Sequence, residues 1–311
     1  MSLYQFILYF FVYGFLGWCT EVAYAACKSG KFVNRGFLNG PICPIYGVGV
    51  CVVVMFLTPY KTSIFLLYVS STLLVTILEG VTGFAMDKIF HNKWWDYSAQ
   101  PLNIGGYVCL LFSLIWGVAC VLIVDLIHPL ISGVLAHIPF LAGVVILVPL
   151  GIALFADAYV TSAAIFKMNK RLASMDKIAR ELHELSDQIG EGIFTQMNAT
   201  KEAREGAAEV IGETREKFGE TKERIGETLE ATFERLDEAN QERREKRQER
   251  NMESALEREK TMASLKASYQ ELAEKSTVVT RRLVKAFPKM KSRKNDEQLQ
   301  SWRKYLILKK K

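Results

Sequence analysis

Charge is scarce in the first half of this chain, proline is missing from most of the second, and cysteine stops at Cys120. Residues 1–166 hold six cations and six acids, against 21 and 25 in residues 167–280, so the first half has too little charge to cover a soluble surface. No proline occurs from Lys167 to Thr277, which leaves that charged stretch without its strongest helix breaker. The lack of cysteine beyond Cys120 excludes a disulfide framework there. Cys19, Cys27, Cys43, Cys51, Cys109 and Cys120 form no C-x-x-C pair or His-rich cluster, and read as small apolar filler. Also missing are G-x-x-x-x-G-K-S/T, a G-x-S-x-G elbow, a zinc-protease signature and a Cys/His pairing. The sequence therefore carries no ATPase of its own, no enzyme signature and no cofactor site.

What is present are apolar runs too long for a soluble core. Crossing about 30 Å of hydrocarbon at 1.5 Å per residue takes about 20 apolar residues. Segments 3–27, 41–58, 63–86, 107–127 and 138–166 meet that length, the second only barely. The first is too long for a cleaved signal and has no basic residue before it, so it reads as retained. The expected fold is all-α, with about five transmembrane helices followed by a long charged cytoplasmic helix or coiled coil. Three regions follow: a bundle at 1–166, a charged helical region at 167–280 and a basic tail at 281–311.

Cationic connectors stay on the cytoplasmic side. One set of connectors holds Lys28, Lys31, Arg35, Lys88, Lys93, Lys167, Lys170, Arg171, Lys177 and Arg180, and the opposite set only Lys61. A multi-pass protein of the cell membrane is expected, with its N-terminus outside and its tail in the cytoplasm.

Glu21, Glu79 and Asp157 fall inside the first, third and fifth runs, where an ionised side chain costs at least about 2.5 kcal/mol unless partnered. They lie seven, nine and ten residues before Lys28, Lys88 and Lys167, which puts all three at a similar depth. Helical spacing adds a stripe of Gly14, Gly17, Glu21 and Tyr24, another of Thr72, Thr76, Glu79 and Gly83, and a third of Ala153, Asp157, Thr161 and Ala164. Two readings stay open: a shared cation or proton site, or acids that neutralise loop cations such as Arg35 or Lys93. Asp125, beside His128 at the outer end, reads as a solvated helix end.

Two connectors share the cytoplasmic face. The first, residues 31–49, combines Pro41 and Pro44 with Gly36, Gly40, Gly47 and Gly49, a rigid chemistry able to dip into the bundle. Asn34, Arg35 and Asn39 supply amide and guanidinium contacts. In the second, residues 87–106, Trp94, Trp95 and Tyr97 read first as interfacial anchors. Asp96 with Arg35, Lys93 and these aromatics is the alternative, a surface for a partner or a lipid headgroup.

In the charged region Ile211, Phe218 and Ile225 recur at seven-residue intervals, with Leu182, Ile189 and Val210 upstream and Leu229 and Leu236 beside them downstream. This narrow seam, diluted by Gly212, Gly219 and Gly226, suits a weak coiled coil in a homo-oligomer or a helical partner along 182–239, with a mostly solvated, partly disordered linker as the alternative. The final segment has 12 cations and two acids, with Leu283, Phe287, Trp302, Tyr305 and Leu306 among them. Anionic membrane lipid is its expected partner, and nucleic acid ranks below it because the tail is tethered beside a membrane.

The string GFLGWCTEVAYAACKSGKFVNRGFLNGPICPIYGVG, then LEGVTGF, WWDYSAQPLNIGGYVCLLFSLIWG and HPLI, resembles the bacterial family of CmpB-like membrane proteins, whose name assigns them to ABC-transporter permeases of type IV. The resemblance covers residues 5–131 and continues more loosely to 166. It implies that Gly17, Trp18, Glu21, Asn34, Arg35, Gly36, Gly40, Pro41, Pro44, Tyr46, Gly47, Glu79, Trp94, Asp96 and Tyr97 carry the family pattern, and it brings no catalytic role. The function it implies is a permease-like membrane protein that works with a separate ATPase subunit. A membrane-anchored coiled-coil scaffold or sensor, and an enzyme acting on lipid headgroups through Arg35, Asp96 and Glu21, are the alternatives.

Overall fold

The computed structural model describes residues 1–217 and 226–308. They form two compact units, one of residues 1–174 and 275–311, the other of Met175–Glu274.

Helix α1 (Leu3–Ser29) starts at a reciprocal cap, in which Ser2 and Gln5 each bond the other's backbone N–H with a side-chain oxygen. It stops at Gly30, whose φ of 66° turns the chain and whose N–H closes on the Ala26 carbonyl. Helix α2 is Pro44–Leu57 and α3 is Ile64–Phe90. Helix α4 (Leu110–Leu122) runs through a π-type turn at Ile123–Ile127 into α5 (His128–Leu135). Helix α6 is Phe140–Lys217. Large apolar side chains face outward along α3, with Phe65, Leu73, Ile77 and Val81 all more than 60% exposed. A surface of this kind suits hydrocarbon, and in water it would be an aggregation patch.

Among the described residues, four helical stretches are long and apolar enough to cross a membrane: Leu3–Ser29, Ile64–Phe90, Leu110–Leu135 and Phe140–Ala199. The second expected span is shorter, since α2 has 14 residues and measures only about 21 Å. Its packing explains the length. The Cys43 N–H donates to the Gly14 carbonyl (2.9 Å), and the Cys51 thiol approaches the Phe6 carbonyl, so α2 runs antiparallel to α1 and begins at its middle. The connector 30–43 has already descended beside the second half of α1 before the helix starts. Val50, Cys51, Val53, Val54 and Leu57 are then buried among the other helices.

Glycine permits that approach. A Cβ on Gly47 would sit 2.6 Å from the Phe10 carbonyl oxygen, which belongs to the α1 backbone, whereas Gly49 has open space around it. Gly47→Ala is expected to cost about 1–3 kcal/mol and lower the thermal midpoint of the purified protein. Gly49→Ala is the matched control and should leave the midpoint unchanged; equal effects from both would refute the close-packing account.

The last segment folds together with residues 1–174. Helix α8 (Val278–Ala286) and helix α9 (Asp296–Leu308) belong to the membrane unit. Strand β1 (Asn92–Lys93) pairs antiparallel with β4 (Lys291–Ser292), while β2 (Asn103–Ile104) and β3 (Val108–Cys109) form a hairpin. Leu283, Met290 and Leu299 are fully buried and Trp302 is 1% exposed. The cations outnumber these side chains in sequence, but the apolar ones are turned to one side and covered.

In the second unit, helix α7 is Gly226–Glu274, and Arg258 of α7 reaches α6 at Gly192. Short-range ion pairs such as Lys246 with Glu242 (2.6 Å) decorate its surface. The seam expected through Val210, Ile211, Phe218, Ile225, Leu229 and Leu236 lies outside the residues whose side chains are described.

Candidate functional site

The descending connector is held at three levels by side chains from α1, α6 and α8. Near the top, the Trp18 indole donates to Asn34 Oδ1 (2.8 Å), and the Asn34 amide donates to the Asn39 carbonyl (2.7 Å). Arg35 Nε meets Glu21 Oε2 at 3.0 Å, with its guanidinium over the Tyr24 ring. The other Glu21 oxygen accepts the Tyr46 hydroxyl at 2.6 Å. Glu21 is thus partnered by a loop cation and by the first turn of α2.

Asp157 organises the deepest part. Its Oδ1 accepts the Asn39 backbone N–H (3.1 Å), the Asn39 side-chain amide (2.7 Å) and the Thr161 hydroxyl (3.1 Å), and its Oδ2 accepts the Gly40 N–H (2.7 Å). Backbone that departs from a helix inside a membrane protein needs such internal partners. Here Asp157 supplies those of the Asn39 and Gly40 N–H groups.

Glu79 is held differently. It accepts the Tyr97 hydroxyl at 3.2 Å and makes no ion pair among the described residues, and Tyr97 stacks on Phe112 with ring centroids 4.9 Å apart. Burial, reinforced by the Glu79 charge, pushes the Tyr97 hydroxyl pKa up, so Tyr97 stays a proton donor. Asp157 instead bonds Asn39, whose side-chain oxygen in turn meets the last segment.

The second connector corrects another expectation. Trp94 is 4% exposed, with its ring among Phe37 (5.1 Å), Phe90 (6.3 Å) and Phe287 (5.0 Å), so it is a core residue and not an interfacial anchor. Trp95 donates its indole N–H to the Tyr107 carbonyl (2.8 Å). Lys93 donates to the Gly105 carbonyl (2.9 Å) and lies over the Tyr107 ring, so it neutralises none of the three acids. Asp96 accepts from Lys291 at 2.7 Å. That bond, followed by those from Ser98, holds the Asp96 carboxyl well below the usual carboxylate range. Asp125 meets Lys61 at 3.9 Å on the opposite side of the bundle.

Arg282 was not singled out among the tail's 12 cations. Its guanidinium nitrogens Nη1, Nη2 and Nε donate to the Gly36 carbonyl (2.6 Å), the Phe37 carbonyl (2.9 Å) and Asn39 Oδ1 (3.0 Å). No local pattern marks it, because its acceptors lie more than 240 positions away in sequence. The same holds for Lys291, paired with Asp96 across 195 positions.

Residues 8–162 match the family described as Putative ABC-transporter type IV. No curated protein matches the chain, and no solved structure does.

Proposed function

Residues 8–162 belong to that transporter-related membrane family, and from this premise we propose that the protein is a permease-like subunit powered by a separate ATPase. The observation that carries the reading is the broken second span. Discontinuous helices with irregular backbone at depth are how many transporters build their binding sites, because they expose backbone and polar groups inside the bundle. Here the break is lined by Glu21, Asn39, Tyr46 and Asp157. The absence of a P-loop in the sequence is what calls for the second subunit.

In this reading the connector and α2 together complete one crossing, giving five in all. The N-terminus lies outside, while the connectors and the last segment face the cytoplasm. Glu79, with a hydroxyl partner and no counter-cation among the described residues, is the group suited to bind a proton or cation in transit.

The test uses the full chain extracted from native membranes. An ATPase should be recovered with it, and Glu79→Gln should abolish the ATP-dependent transport of that complex while membrane abundance stays within about twofold of wild type, since an amide oxygen can still accept from Tyr97. Transport lost only in proportion to abundance would assign Glu79 to holding the bundle together.

A scaffold reading is favoured by one observation, the charged 100-residue second unit of Met175–Glu274. Recovery of a soluble helical protein in place of an ATPase would support it.

A further inference from the structure

The contact made by Arg282 has the design of a receptor for a planar cation. Its three acceptors, the carbonyl oxygens of Gly36 and Phe37 and Oδ1 of Asn39, come from four successive residues of irregular backbone. Each meets a different nitrogen of the guanidinium, which matches the fixed fork of that group. The acceptors are also set in advance. Asn39 commits its amide nitrogen to Asp157 Oδ1 (2.7 Å) and Thr161 Oγ1 (3.0 Å), so its oxygen must point the other way, toward α8. Asp157 also binds the backbone N–H groups of Asn39 and Gly40, fixing the turn that aims the two carbonyls.

Among the described residues no carboxylate oxygen touches this guanidinium directly. Burial works against the charged form of Arg282, and Asp157, one residue away behind the Asn39 amide, is the acid whose field opposes that loss. An arrangement of neutral acceptors backed by a negative charge can exchange one guanidinium for another without leaving a bare ion pair behind.

We propose that the cradle formed by Gly36, Phe37 and Asn39 is a binding site for a guanidinium-bearing ligand, that Arg282 fills it from within the chain, and that docking of residues 275–308 controls access to it. Its use as the first station for transported solute rests on the permease reading. Its existence as a site does not.

The experiment is hydrogen exchange by mass spectrometry on the full chain in nanodiscs, following the amides of residues 34–42. In Arg282→Ala these amides should exchange roughly tenfold faster or more, the factor that losing a buried hydrogen bond produces in a local opening equilibrium. Guanidinium chloride at about 10 mM, far below the molar range in which it denatures, should restore most of the protection, and equal concentrations of sodium or ammonium chloride should not. Exchange unchanged by the substitution, or faster but indifferent to guanidinium, overturns the proposal. Should Arg282→Ala also lose protection across α1 and α3, Arg282→Lys is measured the same way. It keeps the charge while filling the fork poorly, and indifference to guanidinium there overturns the proposal as well. None of these results depends on transport or on a partner ATPase, so this site and the permease reading can fail separately.

Discussion

Trp302→Ala is expected to release residues 275–308 from the membrane unit. The indole is 1% exposed, carries the Arg171 guanidinium over its face at 5.4 Å, and belongs to a unit in which Leu283, Met290 and Leu299 are also fully buried. Removing such a ring from a packed core costs roughly 3–5 kcal/mol, a large share of what can hold a segment of this size. By contrast the Lys291 and Asp96 pair has a lysine side chain 55% exposed, and a pair of that kind contributes about 0–1 kcal/mol. Limited proteolysis near Lys275 reads the difference. Wild type should resist cleavage even at about 1 M salt, where screening acts beyond about 3 Å, and Trp302→Ala should be cut rapidly. The same balance predicts little dependence on pH. Because the Asp96 carboxyl is held below its ordinary value by Lys291, the pair is complete above the usual carboxylate range and is lost only in stronger acid. Docking should therefore be flat from about pH 5 to 8. Release by salt with no effect from Trp302→Ala would show that charge, and not apolar burial, holds the segment.

The second large effect is expected at Asp157. Alanine there strips the acceptor from the N–H groups of Asn39 and Gly40, from the Asn39 side-chain amide and from the Thr161 hydroxyl in one step. Hydrogen bonds to a charged acceptor are the stronger kind, and donors left behind inside the bundle have poor alternatives, so the cost is roughly 2–4 kcal/mol. Because α2 begins where this turn ends, the loss should appear as a lower thermal midpoint and reduced abundance in the membrane. Asp157→Asn retains one acceptor oxygen and should fall between wild type and alanine. Asn39→Ala removes the side-chain amide yet leaves the Gly40 N–H bond, and should cost less than Asp157→Ala. Wild-type abundance and midpoint in Asp157→Ala would mean that the connector is held by something other than this carboxylate.

Both substitutions fall on features that the sequence discloses unequally. The apolar runs and the embedded acids are legible because hydrocarbon imposes a length and makes each charge conspicuous. Pro41, Pro44 and the glycines around them likewise announce a rigid connector able to enter the bundle. The short second helix is harder to interpret, since hydropathy counts residues and takes no account of where a helix starts. Once Cys43 is known to meet Gly14, the missing length is accounted for by the connector. Glu21 with Arg35 was among the pairs the composition suggests, whereas Asp157 answers to backbone N–H groups, which carry no signature in a sequence.

Trp94 shows the limit from another side. Its place beside Lys93 and Trp95 near the end of an apolar run fits an interfacial ring, whereas packing against Phe37, Phe90 and, 193 positions later, Phe287 makes it a core residue. The last segment is similar. Arg281 and Arg282 precede Leu283 and Val284, and Lys285 and Lys289 separate these from Met290, so the average character is basic even though those three apolar side chains are buried. Summed charge does not report that burial, which shows only in the spacing of the apolar residues over two short helices.

The order of the chain gives this arrangement a timetable. Residues 275–308 complete the same unit as residues 1–174, yet 100 residues separate the two. A ribosome adds about 5–20 residues per second, so roughly 5–20 s pass between synthesis of Ser174 and Lys275. Through that interval Phe37, Phe90 and Trp94 wait for Phe287 with part of their surface unroofed, and the newborn protein is open to chaperones and proteases. Only a chain translated through Phe287 and Trp302 can close the gap, so the cover over these rings arrives about 100 residues after the helices that need it.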